Sequence, residues 1–343
     1  MHPIFGNLRR ENVQNIFMAA TDRNRISRSD IAGATGISLM TVGKVVDALH
    51  RLHILQQTAA PDKTPGRRSR VVSVSEQYRI AVFDLSHEKY VAHACDLTGR
   101  ILASYSYPID PEYYPDDNLQ IFFRRGCHAL RDVVNVDNCC GCGILTPGSY
   151  DSAADLITDF QGSRFFGLAI RKTFAGFALG ALPTYIGDAR RYAAAGLLHP
   201  NLPQEAVMCV FLGKAQLSGC YFRTGDAPMD LRFTNLGNVG AGGGQTLANR
   251  IYDYGLPELL RALSDTLCWT TSVVPVDRIV IAGDLYHSMT TLAALVKEQL
   301  WQAGAAGLAA SPEVIPYDDS TAAIRGIVSE IKEAWFAERF LAE

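Results

Sequence analysis

The sequence predicts an α/β protein in three parts: a winged helix-turn-helix domain over residues 1–77, then an N-terminal lobe over 78–200 and a C-terminal lobe over 201–343. Three observations carry this reading. Ser29 to Leu52 has the pattern of two helices around a glycine turn. Charge is uneven along the chain: residues 1–79 hold twelve Lys/Arg against six Asp/Glu, and the remainder twenty against twenty-nine. From residue 78 onward, two successive β-β-β-α units of similar order imply two lobes with a cleft between them.

The head comes first. Asn12 to Ala20 is a helix with Val13, Ile16, Phe17 and Ala20 on one face. Ser29 is placed to cap a helix opened by Asp30-Ile31-Ala32. Gly36, in Thr35-Gly36-Ile37, supplies the left-handed turn residue, and Ser38 caps the next helix. Val42, Val45, Val46, Leu49 and Leu52 recur at helical spacing and form its buried face. Ser38, Met40, Thr41, Gly43 and Lys44 then point outward from the first turn, which in a helix-turn-helix meets base edges in the major groove. Gln56 to Val74 has two extended ends around a Pro-, Gly- and Arg-rich tip and reads as a β-hairpin wing. Arg67, Arg68 and Arg70 stand where a wing meets phosphates or an adjacent minor groove. An ordinary αα-hairpin and a solvated linker would explain these stretches separately; their occurrence together favours the winged helix. A basic head on an acidic body points to a polyanion as partner of the head.

The body follows as strands Tyr78 to Asp84, Lys89 to Cys95 and Ile101 to Tyr107, then a helix from Leu119 to Val133. Cys140 to Leu145 is a buried strand, Leu168 to Phe177 a helix, Pro183 to Asp188 a strand and Ala189 to Leu198 a helix. The second set has strands from Ala206 and Gly219, helices from Gln245 to Tyr254 and Pro257 to Cys268, and a strand from Arg278 to Asp284. A helix from Thr290 to Ala303, a strand from Val314 to Tyr317 and a closing helix from Ser320 to Phe340 complete it.

Composition excludes little. With 48% apolar and 20% charged residues the chain resembles ordinary soluble proteins, and its apolar runs fall short of a membrane span. The first residues lack the apolar core of a secretion signal, so the expected compartment is the cytoplasm, with no membrane partner. Eight scattered cysteines fit free thiols better than a disulfide framework. Cys139-Cys140-Gly141-Cys142 contains a C-x-x-C that invites a metal or redox reading. No second ligand pair stands at metal spacing, although Cys127-His128 is near, and inward-packed thiols are the plainer account. Gly240 to Gly244, before a helix at Gln245, is either an anion nest or the remnant of a metal loop.

This plan resembles the ROK family of repressors and sugar kinases over nearly its whole length. Leu8-Arg9-Arg10-Glu11-Asn12, Ser29-Asp30-Ile31-Ala32, Ser38-x-x-Thr41-Val42 and Gly66-Arg67-Arg68 look like text of its repressor branch. The resemblance implies an actin-like, ribonuclease-H-like body behind the winged helix. The body departs from the family at its active-site motifs. The phosphate loop D-x-G-x-T reads Asp84-Leu85-Ser86-His87-Glu88, and G-T-G-I-G reads Gly213-Lys214-Ala215-Gln216-Leu217. The segment near the adenosine survives as Ala282-Gly283. E-N-D-A-N reads Ile186-Gly187-Asp188-Ala189-Arg190, so Asp188 falls at the family's general base. G-E-I-G-H reads Thr234-Asn235-Leu236-Gly237-Asn238, so Asn235 and Asn238 replace a sugar ligand and a sugar contact that also binds zinc. Val239 to Ala248 lacks the cysteines of the family's zinc motif, so no structural metal is expected.

The resemblance thus implies a transcriptional regulator, a repressor, whose homodimer or higher homo-oligomer binds a double-stranded DNA operator. Its kinase-derived body would sense a sugar or sugar-phosphate effector at Asp188, Asn235 and Asn238, with no catalytic residue and no cofactor. The alternatives are an active sugar kinase with an appended DNA-binding domain, and a regulator whose body binds no small molecule.

Overall fold

The computed structural model describes residues 2–23, 25–59, 70–86, 89–157, 165, 167–197, 206–212, 217–223, 229–231, 256–283, 286–302, 313–316 and 321–342. The chain forms two compact units. The first comprises Met1–Thr158, Arg164–Asn201 and Thr321–Glu343; the second, Asp159–Ser163 and Leu202–Ser320. The closing helix, assigned by sequence to the C-terminal lobe, therefore belongs to the first unit. Its apolar face announces burial but not the partner, and the partner proves to lie far away in the chain.

The head has three helices, α1 (Arg10–Thr21), α2 (Arg28–Thr35) and α3 (Leu39–Arg51), and strands β1 (Ile26–Ser27), β2 (Leu55–Ala59) and β3 (Arg70–Val74). The strands form one antiparallel sheet in the order β1-β3-β2, with Leu55 opposite Val74 and Ile26 opposite Val72. Val13, Ile16, Phe17, Ile31, Val42, Val45, Val46, Leu49, Ile54 and Val72 make its core, all fully buried. Leu52, expected on that face, is only half-buried because it already caps the helix.

The cap of α2 is Ser27, not Ser29. Ser27 Oγ accepts from the Asp30 N–H at 3.1 Å and Asp30 Oδ2 accepts from the Ser27 N–H at 3.3 Å, a reciprocal capping box. The helix therefore starts at Arg28, two residues before the predicted Asp30.

The first unit's main sheet contains β4 (Arg79–Asp84), β5 (Lys89–Cys95), β6 (Ile101–Pro108), β7 (Cys139–Thr146) and, after the short hairpin of β8 (Tyr150–Asp151) and β9 (Leu156–Ile157), β10 (Thr184–Asp188). Its order is β10-β7-β4-β5-β6, with β4, β7 and β10 parallel and β5 antiparallel to both neighbours. Helix α4 (Pro115–Leu130) covers one face, where Phe83 packs edge-on to Phe122 and Phe123. Phe174 of α5 (Ile170–Phe174) joins that aromatic cluster.

The other face carries α6 (Ala189–Leu197) and the closing helix. The second unit repeats the plan. Strands β11 (Ala206–Leu212), β12 (Leu217–Arg223), β13 (Met229–Leu231), β14 (Arg278–Gly283) and β15 (Glu313–Pro316) lie in the order β13-β12-β11-β14-β15. Again the first and second pairings along the chain are antiparallel and the last two parallel. Helices α7 (Leu256–Val273) and α8 (Tyr286–Gln302) bury Leu260, Leu263, Leu267, Met289, Leu292 and Val296 with the strands' Met208, Val210, Ile279 and Ile281. The predicted helix Gln245–Tyr254 lies outside the described residues. Among those residues, no single helix is long and apolar enough to cross a membrane.

The closing helix α9 (Thr321–Phe336) continues into a wider turn, Ala337–Leu341. It crosses α6 at a point where both chains are glycine: an added Cβ at Gly326 would fall on the Tyr192 carbonyl oxygen, and one at Gly196 on that of Ala322. The far side of α9 holds the head. Phe17 of α1 stacks on Phe336 at 3.9 Å with 8° between the rings, and Gln14 donates to Glu333 at 2.7 Å. Lys332 Nζ meets Asp22 Oδ1 at 2.5 Å, with side chains only 3% and 7% exposed.

Candidate nucleic-acid interface and ligand site

Helices α2 and α3 meet at 118° around Gly36, whose φ of 67° and ψ of 9° lie in the left-handed region. Helix-turn-helix pairs span about 90–120°. Ser38 Oγ accepts from the Thr41 N–H at 3.3 Å and lies 3.0 Å from its hydroxyl, so the first turn of α3 is capped. Ser38, Met40 and Lys44 are exposed and Thr41 half-buried. Leu39, which sequence reasoning left out, is 56% exposed beside Met40 at 71%. Its spacing of three from Val42 mimics the buried face, but it sits at the helix start, beyond the core's edge. The structure thus brings the predicted helix-start residues onto one solvent-facing turn.

A polar clamp joins the wing strand β2 to α2 and the body of α3. Arg28 donates to Asp47 at 2.5 Å and to Gln57 Oε1 at 2.9 Å, and Gln57 Nε2 donates to Asp47 at 3.1 Å. Three elements, α2, α3 and β2, are joined by these side chains. Burial pushes the Asp47 carboxyl up, but hydrogen bonds from Gln57 and Arg28 and the charges of Arg28 and Arg51 outweigh it and hold the group below its ordinary 3.8. Arg70 opens β3 opposite Ala59. Arg67 and Arg68 lie outside the described residues.

The candidate ligand site begins at the carboxyl ends of the parallel strands, where open α/β sheets bind ligands. Asp84 ends β4 opposite Leu145, and Asp188 ends β10 opposite Thr146 of the central β7. One strand separates the two carboxylates, which puts their backbones about 10 Å apart at the usual strand spacing. Asp84, Thr146 and Asp188 are 2%, 0% and 4% exposed. Thr146 Oγ1 donates to the Gly148 carbonyl at 2.7 Å.

Asp84 Oδ1 accepts from both the Ser86 N–H at 2.8 Å and the Ser86 hydroxyl at 2.6 Å. The sequence resemblance sets Ser86 against the glycine of the kinase phosphate loop. Its two donors are therefore turned inward on Asp84 instead of being available to a phosphate. Glu88, the loop at 213–216, Asn235, Asn238 and the glycine run at 240–244 lie outside the described residues. Among the described residues, no group of three or more His, Cys, Asp and Glu side chains is arranged to hold a metal ion.

Two copies of the strand order 3-2-1-4-5, each antiparallel on one side and parallel on the other, define a duplicated ribonuclease-H-like fold of the actin-like class. No family model matches the sequence, and no curated protein does. Solved structures do match, ROK family proteins among them. A ROK family transcriptional regulator, a homologue of the E. coli MLC protein, aligns over 94% of this chain and 98% of its own, at 11% identity and a TM-score of 0.60. A ROK family protein from Streptococcus pneumoniae, solved in complex with sucrose, aligns over 77% and 100% at 15% identity and a TM-score of 0.53. The ROK hexokinase from Thermus thermophilus aligns over 74% and 99% at 15% identity and a TM-score of 0.50. At these identities the likeness is one of fold, and the fold of this chain is that of ROK proteins.

Proposed function

We propose that the chain is a ROK-type transcriptional repressor of the cytoplasm, with a DNA-binding head on a body that senses a carbohydrate and transfers no phosphoryl group. The observation that carries the reading is the capped, outward-facing first turn of α3 on a complete three-helix core with its wing. The coverage of the neighbours supports it. The regulator aligns with nearly the whole chain, and the sucrose-complex and hexokinase structures with about three quarters of it; the difference, 17–20% of the chain, is somewhat smaller than residues 1–77.

Met40, Thr41 and Lys44 are the side chains for base and phosphate contact, with Ser38 beside them and Arg67, Arg68 and Arg70 on the wing. Recovery of an operator by selection from random DNA is the direct test. On that operator, Thr41→Ala or Lys44→Ala should weaken specific binding by about 1–3 kcal/mol. Unchanged affinity in both variants would remove α3 as the recognition helix.

One winged helix buries little surface, so a homodimer reading a pseudo-palindrome is the economical arrangement. Trp269, Val273 and Trp301, exposed on α7 and α8, support a second copy packing on those helices. A monomer in solution and on DNA would defeat this point.

For the body, Asp188, Asn235 and Asn238 are the proposed sugar or sugar-phosphate contacts. An effector can move the head only by preferring one arrangement of the body. Titrating candidate sugars against operator binding should reveal an effector whose action is lost in Asp188→Ala. An effect untouched by Asp188→Ala and Asn235→Ala would defeat the site. A second reading, an active kinase with an added head, is favoured by the retained Asp188. The inward-turned Ser86 opposes it, because phosphoryl transfer relies on donors that cradle the phosphates. Sugar-dependent ADP release, abolished in Asp188→Asn, would establish that second reading.

A further inference from the structure

The first turn of α3 exposes two consecutive apolar side chains. Leu39 is 56% exposed and Met40 71%, and among the described residues of the head no other large apolar side chain is exposed. They stand clear of their surroundings. On a helix surface a residue neighbours those three and four positions further on, and for both Leu39 and Met40 one of these is Gly43, which has no side chain to cover them. The end of α2 and the turn are also low. Gly33, Ala34 and Gly36 are exposed, and an added Cβ at either glycine would meet nothing within 4 Å.

The polar groups nearby are engaged. Ser38 Oγ and Thr41 Oγ1 lie 3.0 Å apart, and Ser38 caps the helix. The Arg28 guanidinium would lie 3.4 Å from a Cβ on Gly43, but it is held by Asp47 and Gln57. Lys44, exposed one turn on from Met40, supplies charge. Pressing an apolar pair onto the floor of the major groove is favourable where the base edge is itself apolar. Elsewhere the edges carry donors and acceptors, which would lose water and gain no partner. The C5-methyl of thymine is the apolar group that a base presents in that groove.

Resting on the reading of α3 as the recognition helix, we propose that Leu39 and Met40 are specificity determinants that read thymine methyl groups, at one or two thymines in each half of the operator. The discrimination has two sources. Methyl and methylene surface leaves water at a T·A pair, and the exocyclic amine of cytosine is stripped of water at a C·G pair in its place.

The test uses the duplex that the full chain selects from random DNA, with each thymine in turn replaced by deoxyuridine, which pairs alike and lacks only the methyl group. At one or two positions per half-site the replacement should weaken binding about two- to fivefold, the loss of one buried methyl group. At the other thymines it should leave binding unchanged. Replacing a sensitive T·A pair by C·G should weaken binding further, and 5-methylcytosine there should restore part of the loss. Leu39→Ala and Met40→Ala alter side chains outside the core. In each, the difference between thymine and uracil should vanish at the position that side chain reads. In Lys44→Ala it should persist on a weaker complex. Uracil tolerated at every position, or a thymine preference that survives both Leu39→Ala and Met40→Ala, would overturn the proposal. Those outcomes leave α3 as the recognition helix if Thr41→Ala or Lys44→Ala still weakens operator binding. A chain that selects no sequence overturns both.

Discussion

The two five-stranded sheets share strand order and strand direction, and differ in what they bury. Beneath the second sheet the core is Leu, Ile, Val and Met, and the buried polar residues among those described there are Ser264 and Ser288. Ser264 is met by Gln299 at 2.9 Å, a neutral pair. The first unit buries Asp84, His93, Asp96, Asn118, Asp188 and Lys332. Burying charge opposes folding unless each group is paired, so the described residues of the first unit depend on pairing where those of the second depend on apolar packing. Topology specifies how a sheet closes; the side chains decide what it buries and, in the first unit, how the head is mounted.

The strongest way to break this comparison is to unpair the head mount. Lys332→Met leaves Asp22 buried without its cation and should cost about 3–5 kcal/mol. Denaturant unfolding checks it. Adding Asp22→Leu should restore most of that loss, because a packed apolar pair needs no compensation. A single-variant loss below about 1 kcal/mol would mean that the stacked Phe17 and Phe336 hold the head without the ion pair.

The next test concerns the helix crossing on which the mount rests. Gly326→Ala drives a methyl group into the Tyr192 carbonyl and should cost about 1–3 kcal/mol by forcing α6 and α9 apart. Thermal melting gives the stability, and operator binding should fall with it. A stable variant with intact binding would show that the crossing relaxes freely.

The smallest effect is in the wing clamp. The Asp47 carboxyl is held below 3.8 in the fold, so its stabilisation is present in full above that value and is lost as pH falls through the folded value beneath it. The side chain is half exposed, so at neutral pH Asp47→Asn should change stability by less than about 1 kcal/mol. On acidification the wild type should lose its advantage and the variant should not. Parallel melts from neutral to acid pH that keep a constant gap would refute the clamp's contribution.

Much of this architecture was legible in the sequence because it is written locally. Strand β5 falls on Lys89–Cys95 as predicted, bounded by turn residues, and the helix-turn-helix follows from Gly36 and a single apolar face. Local ambiguity explains the small errors. Ser27 and Ser29 are both fit to cap, and only the return bond from Asp30 selects Ser27. Helix α7 runs to Val273, past the predicted Cys268, with the hydroxyls of Thr270, Thr271 and Ser272 satisfied by carbonyls of the preceding turn, so that these poor helix formers do not stop it there. Helix α4 begins at Pro115, four residues before the predicted Leu119, and there the signal was present: proline at the first position followed by Asp116 and Asp117. What could not be read is non-local. Nothing near Lys332 announces Asp22, and nothing in Cys139 to Cys142 announces the bulge in β7, which depends on the register of β4. Of the candidate sites, the exposed helix start was legible as a remainder once the buried face was removed. The inward turn of Ser86 was not, since it requires knowing where the Asp84 oxygens point.

The closing helix also sets an order of events during synthesis. Lys332 follows Asp22 by 310 residues. At about 5–20 residues per second, a ribosome needs roughly a quarter of a minute to a minute to make that interval. Throughout it, the head has its own three-helix core but no seat, and Phe17 and Asp22 face water. A nascent chain therefore carries the helices of the head well before it carries the helix on which they sit. The first sheet and the first helix are bound together only after α9 has emerged.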